Sequence, residues 1–222
     1  MRIISHYAVV ICMFLFGPWG YSCWGLEATD ILERVHQRYT KEDFEADFFQ
    51  EAHLKAMDMV DTAKGHLYFK PPGMMRWHYL TPEQYLIIVD GNSVWMYNPE
   101  DKQVMTGLAQ DYLGRDGGAD YFSNPKELTK EFTLELAPQG SEEQDYYLLR
   151  LVPKTKRPEL AELHLYISKE TFDIAKAVTI NPFGDRTDLT FSSYRFNQGL
   201  DPSLFTFQVP KGVDVLNLQD EF

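Results

Sequence analysis

A mainly β fold is predicted, an antiparallel meander of about ten strands that twists and curls towards a barrel or a deeply bent half-barrel. Three observations predict it. Apolar residues recur with a period of two in segment after segment, and Gly, Pro, Asn or Asp bounds each segment. The composition is globular, at 44% hydrophobic, 14% aromatic and 24% charged, and rich in the Tyr and Phe that suit a half-buried pleated surface. Sandwiches and barrels of 222 residues routinely form one unit, so a single domain over residues 26–222 is expected.

Residues 1–25 read as a secretory signal peptide: Arg2 is a short basic region, an apolar run follows over 7–16, then Gly17-Pro18 and small residues towards Gly25. The run is short of the ~20 residues needed to cross roughly 30 Å of hydrocarbon. Export to the periplasm with cleavage after Gly25 is expected. Both cysteines, Cys12 and Cys23, fall in or beside this segment, which leaves no disulfide to staple the fold. Cleavage before Cys23 would instead create a lipidated, membrane-tethered protein. The preceding Gly20-Tyr21-Ser22 matches the usual apolar and small approach to such a cysteine poorly.

From Ala28 to Tyr39, the apolar residues Ile31, Leu32, Val35 and Tyr39 recur at helical spacing, with Asp30 and Glu33 as an N-cap arrangement. One amphipathic helix opens the chain. Strands are then counted from Phe44. Leu67 and Phe69 alternate with His66, Tyr68 and Lys70, and Met75, Trp77 and Tyr79 with Arg76 and His78. Thr81-Pro82 turns the chain into Leu86 and Ile88, and Asp90-Gly91-Asn92 turns it into residues 94–97, closed by Asn98-Pro99.

Between Met105 and Phe132 the alternation stops. Leu108, Tyr112 and Leu113 stand at helical spacing, residues 114–118 form a loose Gly-containing stretch, and Asn124-Pro125 opens 126–130. Two short helices are expected there, placed to cover one mouth of the sheet as a lid. Strands resume with Tyr147, Leu149 and Leu151, with Leu163, Leu165 and Ile167, over 174–180 and 189–196, and with Phe205, Phe207 and Val209.

The formal net charge is −12, and losing Arg2 makes the mature chain one unit more negative. Nucleic acid and anionic lipid surfaces are therefore poor partners. His6 leaves with the signal, His36 and His53 stand apart, and His66, His78 and His164 alternate with apolar neighbours on solvated strand faces. No zinc-binding His-Glu-x-x-His, no Gly-x-Ser-x-Gly elbow and no phosphate-cradling loop occurs. Neither a catalytic centre nor a metal or other cofactor is expected. Asp90 could serve in a carboxylate pair, but its turn position before Gly91 explains it without catalysis.

What stands out is the crowding of Met74, Met75, Trp77 and Tyr79 beside Trp95, Met96 and Tyr97. A filled core accounts for it. So does a cavity for an apolar ligand, because one small helix supplies little filling for a curved sheet, and Met and aromatic side chains are large and adaptable. Composition leaves both open.

A family resemblance bears on the choice. Gly65-His66-Leu67-Tyr68-Phe69-Lys70-Pro71-Pro72, Arg76-Trp77, Pro82, Ile88-Val89-Asp90-Gly91 and Trp95-Met96-Tyr97-Asn98-Pro99, in that order and spacing, resemble outer-membrane lipoprotein carriers of the LolA type. Phe48-Phe49-Gln50, Asn124-Pro125 and the ending from Phe205 to Asp214 extend the match to roughly residues 28–215. The resemblance implies a half-open, incomplete antiparallel β-barrel of about eleven strands with an N-terminal helix and a short helical lid. It also implies a monomeric periplasmic chaperone that takes lipoprotein acyl chains from an inner-membrane ABC transporter to an outer-membrane receptor, with no cofactor of its own.

Met75 and Trp77 fall where that family has apolar cavity residues. Alternation extends the expected lining to Leu67, Phe69, Tyr79, Leu86, Ile88, Trp95, Tyr97, Leu149, Leu165, Phe205 and Phe207, with Leu108, Tyr112 and Leu113 in the lid. After Lys70 some members carry an arginine that latches the lid, whereas here Pro71 has no N–H or side-chain donor. Packing by the lid residues is expected to replace that latch. Other readings are a lipid or lipoprotein sensor on the same scaffold, and a lipidated acceptor if Cys23 is retained.

Overall fold

The structure, a computed structural model, describes residues 26–113, 120–137 and 144–218. The segment read as a signal peptide, with Cys12 and Cys23, therefore lies outside the described residues. Helix α1 spans Ala28–Tyr39, as its periodicity predicts, and buries Ile31, Leu32, Val35 and Tyr39. Its cap lies earlier than expected: Glu27 is the N-cap, and Asp30 closes a reciprocal capping box with it.

Strands β1 (Phe44–Leu54), β2 (Met59–Lys70), β3 (Met74–Thr81), β4 (Tyr85–Val89), β5 (Ser93–Asn98) and β6 (Gln103–Leu108) form one meander. Short helical pieces follow: α2 (Ala109–Leu113), α3 (Asp120–Ser123), a 3-10 turn (Pro125–Glu127) and α4 (Leu128–Glu131). Then come β7 (Phe132–Leu136), β8 (Tyr146–Pro153), β9 (Glu162–Ser168), β10 (Ile174–Ile180), β11 (Arg186–Phe196) and β12 (Asp214–Asn217). All twelve belong to one sheet, ordered β12-β6-β5-β4-β3-β2-β1-β11-β10-β9-β8-β7. Pairing of β1 with β11 joins the two meanders; β7, paired only with β8, and β12, paired in parallel only with β6, form the two edges and do not meet, so the barrel is half-open.

Strand count exceeds the sequence expectation because β6 runs into the segment read as helical, β7 begins at its last residue and is not among the predicted strands, and β12 is too short to display an alternation. Phe205, Phe207 and Val209 do not form a strand. A 3-10 turn over Pro202–Phe205 is followed by unpaired extended chain. Its alternation arises because the segment lies extended on another surface, not because it pairs.

The inner face carries Phe44, Ala46 and Phe48 of β1, paired with Phe69, Leu67 and Gly65 of β2. Leu149, Leu151, Leu163 and Leu165 continue it on the other side, all wholly buried. Gly65 is required by a close approach, since a Cβ there would lie 2.0 Å from the His78 carbonyl oxygen. Helix α1 covers one end of this face. The Tyr39 hydroxyl accepts a hydrogen bond from the Ile174 amide at 2.8 Å, and its ring packs on Phe44 at 5.2 Å.

Charges occupy the outer face. Arg150 forks onto Glu162, with contacts of 2.6 and 2.9 Å, and also reaches Glu135, while His164 joins Glu162 at 2.8 Å. The forked Arg150 pair, helped by His164 and opposed by burial, holds the Glu162 carboxyl at about 2, against 4.5 ordinarily. A depressed folded-state value contributes stability above the unfolded value, lost as pH falls through the folded one. Glu162→Gln is accordingly expected to cost about 1 kcal/mol at pH 7. Urea melts of variant and wild type should converge between pH 4.5 and about 2; a constant gap across that window would show that the pair does not titrate as stated.

Candidate functional site: the inner face and its plug

Register decides which expected residues share the inner face. Met75, Trp77 and Tyr79 pair with Phe69, Leu67 and Gly65, which places the five apolar side chains together. Leu149 and Leu165 face them from across the trough. Met75 and Val89, Trp77 and Ile87, and Tyr79 and Tyr85 are cross-strand partners, so β4 presents its odd-numbered residues inward. Leu86 and Ile88 pair instead with His78 and Arg76, and Tyr97 and Trp95 pair with them in turn. These four therefore sit on the outer face, contrary to expectation, and Val94 and Met96 take the inner positions on β5.

The C-terminal segment covers that outer patch. Phe207 packs on Tyr97 at 5.4 Å and on Trp95 at 6.5 Å, Arg76 donates to the Leu204 carbonyl at 3.0 Å, and Phe205 is wholly buried. Phe205 and Phe207 are thus strap residues with no place in the inner lining. Ile88, only 1% exposed, is buried from outside by this cover.

The lid is also built differently from expectation. Leu108 ends β6 opposite Ser93 and is 46% exposed, whereas Ala109 is buried. Tyr112 packs against the core, and the Leu113 side chain lies outside the described residues. Phe122 of the lid is wholly buried, its ring 5.1 Å from Tyr39, 5.3 Å from Phe44 and 5.2 Å from Phe191. Tyr121 and Leu128 are buried with it. Sequence reasoning missed Tyr121-Phe122; an aromatic pair directly ahead of Asn124-Pro125 was the available signal.

Phe122 packs on Tyr39, and Lys126 reaches Glu33 at 3.2 Å across an exposed surface, a pair worth little. Aromatic packing therefore holds the lid where Pro71 supplies no latch.

Between lid and sheet a hollow of about 310 Å³ remains, lined by Tyr112 and Tyr121 from the lid and by Gln50, Ala177, Thr179, Thr187 and Leu189 from β1, β10 and β11. It is continuous in register with an aromatic floor: Gln50 and Leu189 pair one step beyond Phe48 and Phe191 on the same face. Phe48 packs on Trp77 at 5.2 Å and on Tyr79 at 4.8 Å. Burial pushes the Tyr79 phenol up to about 12, so it remains a neutral donor at physiological pH. The floor thus offers apolar contact, while Glu159, Asn181 and Asp185 also line the hollow and bring two carboxylates to it. Among the described residues no group of three or more His, Cys, Asp or Glu could hold a metal ion, and no helix is long and apolar enough to cross a membrane.

Comparison with known proteins agrees with this architecture. The family model described as outer membrane lipoprotein carrier protein LolA matches residues 40–208. An outer-membrane lipoprotein carrier protein of Nitrosomonas europaea is 33% identical over 78% of this chain and 82% of its own length. That of Methylococcus capsulatus is 34% identical over 68% of this chain and 70% of its own. Among solved structures, an uncharacterized conserved protein from Thermus thermophilus superposes with a TM-score of 0.58 at 17% identity, covering 86% of this chain and 98% of its own. MucB gives 0.50 at 16% identity, covering 85% of this chain and 65% of its own. At those identities the two structures speak for the fold alone. Family model and sequence relatives together with the half-open sheet and its helical cover place the chain: it belongs to the LolA family of outer-membrane lipoprotein carrier proteins.

Proposed function

We propose that the protein is a periplasmic chaperone, exported by residues 1–25 as signal peptide, which shelters lipoprotein acyl chains against the inner face of its half-barrel. The observation that carries this is the filling of the trough: its cover is a set of short helical pieces plugged by Phe122, with Tyr121 buried beside it, over an apolar floor. Each methylene buried there is worth about 0.8 kcal/mol without any directional bond. Such binding selects long apolar chains and leaves release to a better-fitting acceptor.

The hollow of about 310 Å³ is at the small end of ligand pockets, roughly 300–1,000 Å³. Loading therefore requires the lid to move and Phe122 to leave its place. The cargo would arrive from an inner-membrane lipoprotein-releasing ABC transporter and pass to an outer-membrane receptor, with a monomer as the travelling form. Catalysis has no part in the cycle.

Photo-crosslinkers at Met75, Trp77 and Tyr79, expressed with a triacylated lipoprotein, are expected to capture it at least about tenfold more often than crosslinkers at Arg76, His78 and Leu86 on the outer face. Equal capture from both faces would sink the assignment. Capture of free lipid without lipoprotein would favour the sensor reading.

A further inference from the structure

The hollow is not uniformly apolar, and its polar part lies at one end. Phe48 and Phe191 form the floor, and one register step nearer the turn end of the strands stands Gln50, opposite Leu189. Thr179 and Thr187, themselves cross-strand partners, continue this rim. Tyr121 closes it from the lid. Its residue is wholly buried, it lines the hollow, and its hydroxyl oxygen has no hydrogen-bond partner.

An unpaired buried hydroxyl costs about 1–3 kcal/mol. Phenylalanine would fill the same volume without that cost, so the hydroxyl calls for a partner that enters from outside. Gln50 supplies a second donor in the same hollow. Its side-chain oxygen accepts from the Tyr79 hydroxyl at 3.1 Å, which leaves the amide NH2 to donate elsewhere.

Asn181 and Asp185 also line the hollow but are engaged in the β10–β11 turn. Asn181 accepts from the Phe183 and Asp185 amides, and Asp185 accepts from the Lys55 amide and the Asn181 side chain. Glu159 also lines the hollow, from an exposed position, so the groups left facing it away from solvent are the neutral Tyr121 hydroxyl, buried, and Gln50 amide, half-buried, with an aromatic floor beneath them. Carbonyl oxygens carried on apolar tails complement that arrangement, and a hydrocarbon alone does not.

We infer that this rim is a subsite for the ester carbonyls joining acyl chains to their glyceryl head, with Tyr121 and the Gln50 amide as donors and the tails directed towards Phe48 and Phe191. The inference rests on the acyl-chain function above. It adds a polar register to it: the ligand is held at a fixed depth, and esters are told from simple hydrocarbon.

The test compares two synthetic cysteine peptides, one carrying two palmitoyl esters on its glyceryl group and one carrying two hexadecyl ethers, which keep the chain length but lack both carbonyls. Calorimetric titration of the mature protein is expected to give about three- to tenfold tighter binding of the ester, the worth of one or two hydrogen bonds. Tyr121→Phe and Gln50→Leu should each reduce that preference, and together erase it, by weakening ester binding towards the ether value. Tyr121→Phe should not lower the melting temperature, since it removes a hydroxyl with no partner in the free protein. Equal affinity of wild type for ester and ether overturns the subsite while leaving the acyl-carrier function intact. Failure to bind either peptide overturns both. A Tyr121→Phe variant that melts early and weakens both ligands alike assigns Tyr121 a packing role and also rejects the subsite.

Discussion

Phe122→Ala is expected to change stability and ligand affinity in opposite senses: about 3 kcal/mol less stable towards urea without ligand, and at least about tenfold tighter for a diacylated peptide. The first part follows from burial. Phe122 is wholly enclosed by Tyr39, Phe44, Phe69, Tyr121 and Phe191, and its removal leaves a void that rigid rings cannot close.

The second part follows from competition. If acyl chains occupy the space that the lid plug fills in the free protein, every kilocalorie holding Phe122 in place is subtracted from binding. Weakening the closed state therefore strengthens the ligand's apparent affinity. A fixed core phenylalanine would behave otherwise, losing stability and affinity together. That result would make the trough an ordinary filled core, so urea melts and titrations of the same variant decide between the two.

The elements most legible in the sequence were those with one wet face. Helix α1 and strands β2, β3, β8 and β9 bury one apolar set against the core and leave the other side more open to solvent, so the side that Leu67, Phe69, Met75, Trp77, Leu149 and Leu165 take was readable. Strand β4 defeats the same method. Tyr85-Leu86-Ile87-Ile88-Val89 is apolar throughout because the core covers one side and the C-terminal strap the other, so period-two alternation carries no information about the face.

The error then propagates: Trp95 and Tyr97 share a face with Leu86 and Ile88 whichever face that is. The strap itself was unreadable because its burial depends on contacts made more than a hundred residues away, as between Arg76 and Leu204. Lid residues suffer similarly. Four-residue helices have too few turns to display a period, and Phe122 stands out only once the rings around it are known.

Asp43 anchors that strap, and Asp43→Ala is expected to cost about 3–5 kcal/mol. The nearly buried carboxylate accepts from the backbone amides of Gln198, Gly199 and Leu200 at 2.7, 3.2 and 2.6 Å and lies 3.7 Å from the Lys70 ammonium. Lys70 in turn donates to the Leu200 carbonyl at 2.8 Å. Deleting the carboxylate leaves three amides and a cation to find other partners; the exposed Gln198 and Gly199 can turn to water, whereas the Leu200 amide is buried and cannot. The consequence should be local before it is global. Hydrogen exchange of residues 197–209 is expected to quicken well ahead of β1–β3, and Trp95 and Tyr97, losing Phe207, should become accessible to a quencher. Asp43→Asn keeps one acceptor oxygen and should recover part of the loss. Because the strap lies on the outer face and acyl chains are assigned to the inner one, affinity for a diacylated peptide should change less than about twofold in the Asn variant. Uniform exchange across the whole sheet would mean instead that the strap and the half-barrel unfold as one unit, with Asp43 an ordinary member of a single core.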